Sequence, residues 1–122
     1  MNKIKIDRDS VYIGDDIESH AKSFEVDYKM SINDFVNFLH SVRYIDCGRE
    51  CTWILQIRND KNYYRDIAIF ANNGKFVKIL DFYEIIDDVI KHYNPKFFYI
   101  KFLGEKDPEV VYNCLQKLRF GF

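Results

Sequence analysis

The chain has 122 residues, a length that buries one hydrophobic core without metal or disulfide staples and leaves no room for a two-domain enzyme. Hydrophobic residues make up 48% of it and charged residues 30%, a balance that excludes the disordered and membrane-embedded classes. With 18 Lys plus Arg against 19 Asp plus Glu the net charge is -1, so no overall basic field draws phosphate backbones.

In chain order, residues 3–7 read K-I-K-I-D and residues 23–30 read S-F-E-V-D-Y-K-M. Both alternate as half-buried strands do, the second placing Phe24, Val26, Tyr28 and Met30 on one face. Residues 31–44 then open with Ser31 as N-cap and Asp34 three positions on, an acidic form of the capping box. Ile32, Phe35, Val36 and Leu39 follow at helical spacing, which predicts a helix. Three segments rich in β-branched and aromatic residues come next, TWILQIR, YYRDIAIFA and KFVKIL, and predict a three-stranded meander. The first two are joined by the polar NDKN and the last two by NNG at 72–74, where Asn and Gly tolerate the positive φ of a tight hairpin.

Residues 81–95 carry the strongest helical pattern. Asp81 and Glu84 form a capping-box pair, Phe82, Ile85, Ile86, Val89, Ile90 and Tyr93 share one apolar face, and Pro95 ends the element. KFFYIKFL at 96–103 is apolar on both faces, as an interior strand is, and would offer a dimer surface if the sheet left it uncovered. Residues 107–120 read as a last helix, capped by Asp107 with Pro108 at its first position. The expectation is one α+β domain over residues 1–122, with element order ββαβββαβα, three helices and a mixed or mainly antiparallel sheet. Its ββα opening resembles a β-grasp half.

Other features narrow the function. Eleven Phe and nine Tyr raise the aromatic share to 17%, which would suit a stacking platform for single-stranded nucleic acid. Lys, Asn, Ile, Tyr, Phe and Asp are abundant together, however, as AT-rich coding produces, and with the near-neutral charge the expectation is no direct nucleic-acid binding. Cys47, Cys51 and Cys114 are odd in number, and the C-x3-C pair lacks the spacing of zinc or thioredoxin motifs, so reduced thiols and no metal are expected. The first residues lack the apolar stretch of a signal peptide and no apolar run spans a bilayer, which predicts a cytoplasmic protein with no membrane contact. His20, His40 and His92 each lie in a polar or helical setting without a Ser or Cys nucleophile motif beside them.

The residues richest in chemistry are 4–16, IKIDRDSVYIGDD. Asp7-Arg8-Asp9-Ser10-Val11 matches by letter the Asp-x-Asp-x-Thr/Val nucleophile motif of haloacid-dehalogenase-like phosphatases, in which the first Asp attacks phosphorus and both hold magnesium. Those enzymes need a parallel, doubly wound sheet of continuous apolar strands, whereas here a second strand arrives before any helix. A hard-cation site from Asp7, Asp9, Asp15 and Asp16 is an alternative, although the calcium-loop pattern is absent. Gly14-Asp15-Asp16 is also ordinary turn chemistry. The remaining reading is a recognition surface. Asp7, Asp9, Asp15, Asp16 and Glu18 put five carboxylates in twelve residues against one cation, Arg8, with Tyr12 and Ile13 as apolar anchors.

IKIDRDSVYIGDDIESHAKSFEVD, with its Asp-Arg-Asp-Ser-Val, Gly-Asp-Asp and following His, is similar to the opening of small bacterial immunity proteins of contact-dependent growth inhibition and related polymorphic toxin systems. The likeness covers roughly the first quarter of the chain. It implies a non-enzymatic antitoxin without a cofactor, binding the C-terminal domain of a cognate toxin, often a nuclease whose active site is basic because it grips phosphates. The partner-binding residues expected on this reading are Asp7, Asp9, Tyr12, Asp15, Asp16 and Glu18.

Overall fold

The alternation written into the strands sets up two unlike sheet faces. The computed structural model describes residues 2–11, 20–45, 50–59, 63–71 and 77–120. In chain order these form β1 (Asn2–Arg8), β2 (Lys22–Val26), α1 (Ile32–Ser41), β3 (Thr52–Arg58), β4 (Tyr64–Ala71), β5 (Val77–Ile79), α2 (Ile86–Tyr93), β6 (Phe97–Phe102) and α3 (Pro108–Phe120). The domain is α+β with the expected ββαβββαβα order. Its six strands lie in the order β2-β1-β6-β3-β4-β5, with β1 and β6 parallel and the other neighbours antiparallel. KFFYIKFL accordingly supplies an interior strand, β6, between β1 and β3.

One face carries the main core. Ile4 and Ile6 of β1, Leu55 and Ile57 of β3, and Phe98 and Ile100 of β6 cluster there with Phe35 and Leu39 of α1 and Ile86 and Val89 of α2. At Leu55/Gln56 the β3–β4 register slips, so that Leu55 faces Ala68 and Gln56 faces Asp66. The additional residue, Ile67, joins Ala68 and Phe70 in the main core, a β-bulge re-aiming a side chain inward. On the opposite face a smaller cluster joins Ile54, Ile69 and Leu80 to Leu103 and to Val111, Tyr112 and Leu115 of α3. This helix covers the β3–β4 side alone.

Ser31 caps α1 as its sequence predicts, its Oγ accepting from Asp34 N at 3.0 Å. Asp107 does the same for α3, accepting from Glu109 N at 2.9 Å. Two expectations need correction. β2 ends at Val26, not Met30, because Asp27 turns the chain, accepting from Lys29 N through its side chain and from Met30 N through its carbonyl. Tyr28 and Met30 still pack against the main core from beyond the strand. The second helix begins at Ile86 and has no side-chain cap. Its first amides are satisfied by distant carbonyls instead, Ile86 N donating to Met30 O and Asp87 N to Tyr28 O. Asp81, read as the cap, is buried five residues earlier between Arg65 and Arg119, and Phe82 is 73% exposed instead of lying on an apolar helix face.

Cys51 is disulfide-bonded and buried, whereas Cys114 is free and exposed, which corrects the expectation of three reduced thiols. That expectation argued from compartment, while the bond depends on two sulfurs within reach. No helix among the described residues is long and apolar enough to cross a membrane. The NNG hairpin at 72–74, the NDKN link at 60–62 and Cys47 lie outside the described residues.

Candidate functional site

Sequence singled out the end of β1, and the structure gives that end a definite construction. β1 runs parallel to β6 as far as Arg8 beside Ile100, and Asp9 N donates to Ile100 O at 3.0 Å as the last main-chain link. Beyond it β6 has no strand neighbour on that side among the described residues, and the Asp9 side chain takes over. Its Oδ2 accepts from Phe102 N at 2.9 Å, and its Oδ1 accepts a hydrogen bond from the Tyr99 hydroxyl. A charged acceptor on a backbone amide is among the stronger hydrogen bonds in proteins. Asp9 thus extends the ladder by one side chain.

Neighbouring groups close the stem of the β1–β2 connection. Ser10 Oγ and His20 Nε2 are 3.3 Å apart, one on each side of residues 12–19, and the Tyr44 hydroxyl donates to His20 O at 2.6 Å. Arg8 donates to Asp9 O at 2.9 Å and places its guanidinium 5.6 Å from the centre of the Tyr44 ring. Burial first, and then the negative charge of Asp7, push the Tyr44 phenol above its ordinary range, with Arg8 opposing. Tyr99 is raised by burial, by its hydrogen bond to Asp9 and by that carboxylate's charge, with Arg58 pulling the other way.

From Tyr99 a polar rail crosses the sheet. Arg58 lies with its guanidinium 3.5 Å from the Tyr99 ring centre and donates from Nη2 to Gln56 Oε1 at 2.8 Å. Gln56 donates in turn to Asp66 Oδ1 at 2.8 Å. This satisfies Gln56, which is buried next to the small apolar cluster. Strand register places Asp7, Tyr99, Gln56 and Asp66 on one face, the face α3 covers only in part. On the uncovered part, a groove of about 550 Å³ is lined by Lys5, Asp7, Lys22, Ser23, Lys96 and Phe97.

Of the six expected partner residues, the structure describes two. Asp7 is half-buried beside the groove, its Oδ1 accepting from Arg8 N at 2.8 Å. Asp9 faces inward, both oxygens engaged within the fold. Tyr12, Asp15, Asp16 and Glu18 lie outside the described residues. Among the described residues no group of three or more His, Cys, Asp or Glu side chains is placed to hold a metal. Each Asp9 oxygen accepts one hydrogen bond within the fold, from Tyr99 and from Phe102 N.

Sequence reasoning missed the Ser10–His20 pair, which looked like two unrelated polar residues ten positions apart. It also missed Tyr99 and Arg58 as partners across strands. A signal was present for Tyr99 alone: a strand with an apolar residue on either side of a Tyr leaves the hydroxyl on the other face in need of a partner. No protein-family model, curated protein or solved structure matches the chain.

Proposed function

We propose that the chain is a non-catalytic immunity protein that masks a basic surface of a cognate bacterial toxin domain, in the cytoplasm, with the acidic residues of its β1–β2 connection. The observation that supports this reading is the role of Asp9: one of the two carboxylates that phosphoryl chemistry would use is a tie holding β1 to β6. The stem it anchors is drawn together by Ser10 and His20, so Asp15, Asp16 and Glu18 are carried between two fixed ends. Asp7, half-buried on the groove side, adds a further carboxylate at the end of β1. Such charge serves encounter rate and partner choice more than raw affinity.

The test begins with the neighbouring genes and uses the C-terminal domain of a toxin encoded there. Co-expression restores growth, and calorimetry gives a one-to-one complex. Reversing Asp15 and Asp16 to Lys weakens that complex by about tenfold or more and flattens its salt dependence. Absence of a neighbouring toxin gene, failure to rescue, or an affinity indifferent to the reversal contradicts the reading. Turnover of a phosphate ester by the purified chain contradicts it as well.

A further inference from the structure

The three helices are held unequally. α1 buries Ile32, Phe35, Val36 and Leu39 completely and α2 buries Ile86 and Val89, whereas from Pro108 to Arg119 no residue of α3 is fully buried. A groove of about 330 Å³ is bounded by Leu115, Leu118 and Arg119 on this helix and by Tyr64, Asp66 and Leu80 on the sheet side. Leu118, at its rim, is 84% exposed. Apolar packing beneath the C-terminal half of α3 is therefore incomplete.

Arg119 fastens that half instead. Pairing of β4 with β5 ends at Ala68 and Ile79, followed by Leu80 N donating to Ile67 O at 2.8 Å. Past that point Arg119 Nη1 donates to Asp66 O at 2.9 Å and to Leu80 O at 2.5 Å, and Nη2 donates to Asp81 Oδ1 at 3.3 Å. One guanidinium from α3 thus bridges the two segments where their own ladder stops. The other end of the helix is joined to β3. Leu103 N donates to Thr52 O and Thr52 N to Gly104 O, each at 2.9 Å, and Thr52 Oγ1 donates to Lys106 O at 2.5 Å. Gly104 turns the chain there at a φ of 71°, with open space where a side chain would stand.

From this we infer that α3 is a cover that opens as a unit, pivoting at the Gly104 turn, with Arg119 as its latch. Release does not strand the buried carboxylate, because Asp81 keeps Arg65 at 3.3 Å and its hydrogen bond from Tyr93. An unpaired buried charge would otherwise oppose opening. At 13 residues the freed helix is too short to persist in water, so opening exposes its amides together with Ile54, Ile69 and Leu80. The main core on the other face stays closed. The inference goes beyond the proposed function and rests on residues away from the β1–β2 connection.

Hydrogen exchange followed by mass spectrometry across a urea series tests it, under conditions in which exchange reports opening equilibria. Amides along α3 are expected to share one protection level, about a hundredfold or more below that of β3 and β6, and to depend less steeply on urea. Arg119→Met keeps the stem, removes the donors and is expected to speed α3 exchange about tenfold or more. Val89→Ala weakens the main core, which opening of α3 leaves intact, so it speeds exchange in β3 and β6 and leaves α3 unchanged. The inference is overturned if α3 matches β3 and β6 in protection and urea dependence, if Val89→Ala speeds α3 equally, or if Arg119→Met leaves α3 unchanged. Protection that falls progressively toward Phe120 without urea dependence is end fraying and overturns it too.

Discussion

The second face of the sheet is two surfaces joined at a polar rail. On the β3–β4 side Ile54, Ile69 and Leu80 are buried under Val111 and Leu115 of α3, and Asp81 is enclosed between Arg65 and Arg119. On the β1–β6 side no helix among the described residues covers the sheet, and Lys3, Lys5 and Lys101 stand in the positions that apolar residues hold on the other half. The rail of Tyr99, Arg58, Gln56 and Asp66 runs across the strands from one to the other. The difference shows where the second face draws its stability: the covered half contributes buried apolar area, and the uncovered half leaves charged side chains in the open.

Substitutions should distinguish the two surfaces. Ile69→Ala, fully buried beneath α3, is expected to cost about 2–5 kcal/mol in denaturant unfolding. Asp81→Ala leaves two partly exposed arginines facing a buried position and is expected to cost about 2–4 kcal/mol, an effect that Arg119→Met should partly relieve. The covered half is not the main support of this face if either variant unfolds like the wild type.

Asp9→Ala removes the acceptor for Phe102 N and Tyr99 and is expected to cost about 1–3 kcal/mol, although the residue lies on the uncovered side.

Alkaline pH probes both faces of the sheet at once. Burial, with a hydrogen bond to Asp81 and that carboxylate's charge, pushes Tyr93 up to about 12 on the main-core side, and Tyr99 is raised on the second face. An unfolded tyrosine titrates near pH ~10, so these groups contribute stability that is complete below that pH and is lost as pH rises toward their folded values. Unfolding midpoints should be flat up to pH ~10 and fall above it, with tyrosinate absorbance lagging behind that of free tyrosine. The smallest effect belongs to Lys101→Ala, which sits in register with Ile54 yet is exposed and should change stability by no more than about 0.5 kcal/mol.

Much of the fold was legible because its signals are local. The K-I-K-I-D alternation of β1 announced one buried and one open face, Ser31 and Asp107 announced their helices, and the doubly apolar β6 announced an interior strand. The second helix was misread for a physical reason. Asp81 and Glu84 imitate a capping box, but the Asp81 carboxylate gains more between two arginines from β4 and α3, and the carbonyls of Tyr28 and Met30 serve the helix amides instead. Cross-strand partnerships such as Asp9 with Tyr99, ninety positions apart, follow from strand order, which no local pattern encodes. For the candidate site, composition pointed to carboxylates at the end of β1 but did not reveal which of them the fold keeps for itself.

The most direct test is the melting temperature of the wild type and of Asp9→Asn, each with and without magnesium or manganese. If Asp9 ties β1 to β6, the variant melts ~5 °C or more below the wild type in every condition, and the metals do not change that gap. A wild-type protein that metal stabilises saturably, beside a variant that melts at the metal-free wild-type temperature and gains nothing from metal, would assign the carboxylate to an ion and contradict the account.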